Sequence, residues 1–127
     1  MKIQLVLFFI ALTTFLSCKR TITDTLQISQ KNVILNSKGD SILITTKNTW
    51  FGFNGIYLNG AMLNIDVWTD PCKINYKDSV LQISSNSCDS LFIRMNKNQT
   101  SIIRELSIGI WRGDYNDGIL ISQNPMK

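Results

Sequence analysis

From residue 26 onward, apolar side chains recur at every second position, in short runs cut by glycine, asparagine and aspartate. Ile42 and Ile44 share one parity, as do Leu106, Ile108 and Ile110, and again Ile119 and Ile121. A period of two belongs to a half-buried strand, and no sustained helical period competes with it. The abundant isoleucine, valine and threonine suit a pleated surface, because branching at Cβ restricts the side chain in a helix. Turn signals follow at intervals of roughly 8–12 residues, the spacing of an all-β sandwich.

Strands are therefore expected around Leu26–Ile28 with Val33–Leu35, then at 41–46, 50–53, 56–58, 62–68, 73–76, 79–83, 90–95, 102–111 and 119–123. Lys38-Gly39-Asp40, Asn54-Gly55, Asn59-Gly60 and the polar stretch 112–118 read as turns. So many strands leave no room for a helical layer, and their short connections make the ladder mostly antiparallel. The expected fold is an all-β, two-sheet sandwich. Trp50 and Phe53 cannot both face inward if their strand is regular.

The chain begins differently. Met1-Lys2 is followed by an apolar core, Leu5 to Leu12, too short for a spanning helix of about 20 residues. It reads as an export leader. Ser17-Cys18 closes the stretch and resembles the lipobox of bacterial lipoproteins, with Leu16 ordinary for its place and Phe15 a departure from the usual aliphatic. The resemblance implies a signal peptide over 1–17, a lipid on Cys18, a tether over 18–25 and one domain over 26–124. Its acyl chains would hold the protein on the outer membrane or facing the periplasm. Lys19-Arg20, where surface-exported relatives often carry acids, leans toward the periplasmic side.

Without the leader, twelve cations face nine acids, a formal charge of +3. The basic residues form no compact run, so no nucleic-acid partner is expected. Histidine is absent, which removes the commonest general base and metal ligand together. No cofactor, metal or enzymatic role is expected. Cys72 and Cys88 are then two thiols 16 residues apart in an oxidising compartment. A structural bridge is the favoured reading, with a free pair or metal ligation as alternatives.

The order of features resembles the BACON domain, an immunoglobulin-like sandwich of secreted and surface proteins of gut Bacteroidetes. The early part of the resemblance is Ser37-Lys38-Gly39-Asp40, the strand 41–46, Lys47-Asn48-Thr49 and Trp50. The late part is Leu91–Met95, Asn98, Arg104, Leu106–Ile110 and Ile119–Gln123. It implies an immunoglobulin-like topology with Trp50 in the core, while residues 54–88 are longer than the family's usual middle. It also implies glycan binding. Trp111, Tyr115, Trp68 and Tyr57 would form the ring platform, and Asn48, Asn54, Asn59 and Asn116 would read hydroxyls. Trp111 and Tyr115 are the best exposed candidates, from parity and from placement in a turn. The alternative is an envelope lipoprotein that contacts a protein partner or serves structurally. Arg112-Gly113-Asp114 reads as a turn rather than an adhesion signal, and Asp114, Asn116 and Asp117 lack the remainder of a calcium loop.

Overall fold

The computed structural model describes residues 25–127. The leader over 1–17, Cys18 and nearly all of the 18–25 tether lie outside the described residues. Nine strands follow: β1 Asn32–Leu35, β2 Gly39–Thr45, β3 Gly52–Leu58, β4 Ala61–Met62, β5 Ile74–Lys77, β6 Leu81–Ser87, β7 Ser90–Asn96, β8 Arg104–Arg112 and β9 Tyr115–Gln123. They form a five-stranded sheet, β1-β9-β8-β3-β4, and a four-stranded sheet, β2-β7-β6-β5. This is the expected immunoglobulin-like sandwich. All pairings are antiparallel except one, in which β1 runs parallel to β9.

The period-two pattern builds the core. Leu106, Ile108, Ile110, Ile119 and Ile121 line the inner face of one sheet, and Ile44, Leu81, Ile83, Leu91, Ile93 and Met95 that of the other, all buried. Trp50 and Phe53 are also both buried, with ring centroids 5.5 Å apart in an edge-to-face arrangement. The parity rule fails here for two reasons. Trp50 precedes β3 rather than lying in it, and a bulge between Phe53 and Gly55 inserts Asn54 into the strand. The bulge also cancels the expected Asn54-Gly55 hairpin. The turn is made instead by Asn59-Gly60, both at positive φ, with Leu58 paired to Ala61.

Two further expectations are corrected. The run Met62–Trp68 is a strand only to Met62. Asp66 then accepts from the backbone N–H of Trp68 (3.1 Å) and Thr69 (3.0 Å), which coils the chain before it can pair. The polar stretch 112–118 is not a long turn either. Trp111 still pairs with Asn116 and Arg112 with Tyr115, so only Gly113-Asp114 turn.

Cys72 and Cys88 are disulfide-bonded, with α carbons 4.4 Å apart. The bridge holds the irregular 63–73 segment to the β6–β7 turn. Trp50 sits beside it: its backbone N–H donates to the Cys88 carbonyl (2.9 Å) and its indole N–H to the Pro71 carbonyl (2.9 Å). At the other pole a polar knot closes the sandwich. Asn98 is fully buried and donates to the carbonyls of Ile102 (2.8 Å) and Gln123 (3.2 Å). The buried Gln123 amide donates to Asn36 (2.9 Å) and Asn96 (3.0 Å). Arg104 donates to the carbonyls of Asn96 (3.0 Å) and Lys97 (3.1 Å). The late residues Asn98, Arg104 and Gln123 thus satisfy backbone groups that strand ends would otherwise leave unpaired.

Candidate functional site

The outer face of the five-stranded sheet carries the most distinctive surface. Register sets its side chains in ranks across the strands. One rank reads Asn32, Leu120, Ser107, Tyr57, Met62. The next reads Gly118, Gly109, Gly55. Three aligned glycines leave a depression across β9, β8 and β3, open over Gly118 and partly covered elsewhere by neighbouring side chains. A groove of about 530 Å³ results, walled by Tyr57 and Leu120 on one side and by Asn54 on the other. Asn54 lies across Gly109, where a Cβ would come within 3.1 Å of its own, and donates to Asn116 (3.0 Å). The Tyr57 ring folds back over Gly55, where a Cβ would meet it at 2.6 Å.

A second groove of about 430 Å³ lies beyond Asn54 and Gly55, between β3–β4 and the 63–68 segment. Trp68 stands at its rim, 77% exposed, near Met62 at 70%. The Asp66 carboxylate that coils this segment is held below the ordinary carboxylate range by hydrogen bonds from Thr69 and Trp68.

The four rings expected to form one platform are placed apart. Trp111 lies on the outer face but is half-buried, packed edge-on against Phe51 at 5.9 Å and covering Gly52. Asn116 shares its rank, next to the glycine rank, and is held by Asn54. Tyr115 has the parity of Ile119 and Ile121 and packs against the core from the sheet's end. Trp111 and Tyr115 therefore point to opposite faces of the same sheet. Only Tyr57 and Trp68 remain near one another in the surface, on either side of Asn54-Gly55. The amides are also engaged. Asn48 donates to Thr25 (2.6 Å), and Asn59 accepts from the Glu105 N–H (2.9 Å).

Lys31 borders the groove and pairs with Asp117, the ion pair among the described residues. Asp117 also accepts from the Tyr115 hydroxyl (3.0 Å) and the Gly118 N–H (2.8 Å). Partial burial is the largest single influence on Asp117 and would raise its pKa. The Lys31, Gly118 and Tyr115 contacts together outweigh it, so the pKa is lowered. Asp78 behaves alike: burial opposes, and the Tyr76 hydroxyl and the N–H groups of Val80 and Leu81 prevail. Carboxylates with lowered folded pKa values contribute stability that is fully present above their unfolded value of about 3.9 and is lost as pH falls through the folded value. The urea midpoint should accordingly stay level from about pH 7 to 5 and drop below about pH 4. Asp117→Asn should flatten part of that drop, and an unchanged acid limb in the variant would contradict the assignment.

Among the described residues, no group of three histidine, cysteine, aspartate or glutamate side chains is placed to hold a metal ion. The aspartates instead cap turns and pair with neighbours. The arrangement offers two adjoining grooves on one sheet face.

No family model and no curated protein matches the chain. Its fold is similar to that of a protein from Bacteroides thetaiotaomicron solved by NMR, with a TM-score of 0.65 and 17% identity. That similarity covers 88% of this chain and 97% of the other.

Proposed function

We propose that this chain is an envelope lipoprotein whose sandwich is a non-catalytic interaction module, tethered through Cys18 and engaging a protein partner with the outer face of its five-stranded sheet. The observation that carries this reading is the exposed rank Leu120–Ser107–Tyr57–Met62 beside a floor of three glycines. The glycine floor, open over Gly118 and covered at Gly55 and Gly109 by the Tyr57 and Asn54 side chains, forms a shallow recess for another chain, and flanking apolar groups reward its arrival by losing water. The dispersal of Trp111 and Tyr115 to opposite faces, with Asn48, Asn54 and Asn59 bound to protein groups, favours this partner over a neutral glycan stacked on rings. The BACON resemblance agrees with the sandwich, the buried Trp50 and the knot of Asn98, Arg104 and Gln123.

A photo-activated cross-linking residue in place of Met62, in the full chain in cells that produce it, should capture one protein. Purified unlabelled domain should compete for that capture. Leu120→Asp with Met62→Asp should abolish it without shifting the melting temperature, because both side chains are exposed. Labelled palmitate should enter the wild type and not Cys18→Ala. Capture of polysaccharide alone, with quenching of tryptophan fluorescence by a neutral glycan, would replace the protein partner with a sugar.

A further inference from the structure

The basic residues look scattered along the sequence, yet the fold gathers four of them at one pole. Lys38, Arg94, Lys97 and Arg104 line a cleft of about 730 Å³ at the end of the four-stranded sheet, with Asp40 as the one acid in its wall. That volume is in the range of small-ligand sites. Arg104 is fixed by its bonds to Asn96 and Lys97, so it stiffens the end of β7. Arg94 projects from the outer face between Ser41 of β2 and Gln82 of β6. Among the described residues, neither Arg94 nor Lys38 nor Lys97 has a carboxylate partner. The Asp40 carboxylate is itself occupied, accepting from the backbone N–H of Ser41 (2.8 Å) and Asn36 (3.2 Å). Ser41, Ser79 and Gln99 add two hydroxyls and an amide to the lining.

We propose that this cleft binds a soluble acidic saccharide, a chain of hydroxylated rings bearing several carboxylates or sulfates. Lys38, Arg94 and Lys97, none in an ion pair among the described residues, supply the attraction, which Asp78 beside Arg94 and Arg104 tempers, and arginine can take an oxyanion through two parallel hydrogen bonds. The hydroxyls and amide suit the uncharged part of such a ligand. No aromatic side chain lines the cleft, so a nucleic acid would find phosphate contacts but nothing on which to stack its bases.

The position of the cleft also separates it from a membrane. The chain enters the sandwich at Thr25–Leu26, whose carbonyls accept from Asn48 and Lys47, just past the end of β2. The cleft lies at the beginning of β2, about 20 Å away along the strand. An attachment on the amino-terminal side thus meets one pole, and the cations occupy the other.

Calorimetry on the full chain tests this with a sulfated hexasaccharide, an oligogalacturonate, a neutral glucan hexamer, a short DNA and vesicles containing phosphatidylglycerol. The acidic saccharides should bind, the neutral hexamer should not, and affinity should fall steeply as salt rises. Arg94→Gln with Lys97→Gln should weaken binding at least tenfold without changing the melting temperature. Lys47→Gln with Lys73→Gln, at the opposite pole, should change it less than twofold. The proposal is overturned by equal binding of the neutral hexamer, by full affinity in the Arg94/Lys97 variant, by absence of acidic-saccharide binding, or by binding confined to vesicles or DNA. Because these variants leave the five-stranded sheet untouched, the cross-linking result at Met62 is independent of the outcome.

Discussion

Trp50→Ala should cost about 3–5 kcal/mol in equilibrium urea unfolding, a large share of the roughly 5–15 kcal/mol a domain of this size possesses. The indole is one of the largest fully enclosed side chains, and three attachments converge on it. Its ring meets Phe53, its N–H holds Pro71, and its backbone is bonded to Cys88. Alanine would leave a cavity against both sheets and an unanswered carbonyl in the 63–73 segment. Trp50→Phe separates the two costs, since it keeps most of the volume and loses only the bond to Pro71. It should recover more than half of the loss. A deficit below about 1 kcal/mol for the alanine variant would mean that the ring is not a core element.

Reduction of the Cys72–Cys88 bridge should lower stability by about 3 kcal/mol, the loop-closure cost for a separation of this size. Cys72→Ala with Cys88→Ala should give a similar value. The effect should be regional. β5 and the preceding coil are held by the bridge, by the Trp50–Pro71 bond and by the Ser85 hydroxyl, which donates to the Cys72 carbonyl (3.0 Å). Without the bridge, amide exchange should accelerate over residues 63–77 well before it does in β8 and β9. Identical midpoints with and without reductant would show that the crosslink closes a loop the fold already holds shut.

These two effects bear on what could be read from the amino acids alone. Leu106, Ile108 and Ile110 announce their face because a regular strand in a two-layer fold leaves one parity no alternative. Ile119 and Ile121 follow the same logic, and a bridge is the favoured reading of two thiols 16 residues apart. The joint burial of Trp50 and Phe53 was not, because it depends on an inserted residue in β3. Nor could Asn54-Gly55 be told from Asn59-Gly60, since their turn chemistry is equal. Gly55 is kept in its strand by long-range circumstances: its pairing with Gly109 and the Tyr57 ring lying over it. The candidate surfaces were hidden for the same reason. Gly55, Gly109 and Gly118 become a floor only once three strands are in register. Lys38 and Arg104 share a cleft only after β2, β7 and β8 have assembled. The parity of Trp111 was correct, but its packing on Phe51 and Gly52 was not visible.

The parallel pairing of β1 with β9 joins Asn32 to Leu120, at nearly opposite ends of the described chain. The β1 edge cannot be completed until the last strand exists, and contacts of such long sequence separation form slowly. A ribosome-bound chain that stops short of residue 120 therefore lacks the partner that closes its first strand. Such a precursor would stay open at β1, and the five-stranded sheet would lock only once β9 had been made.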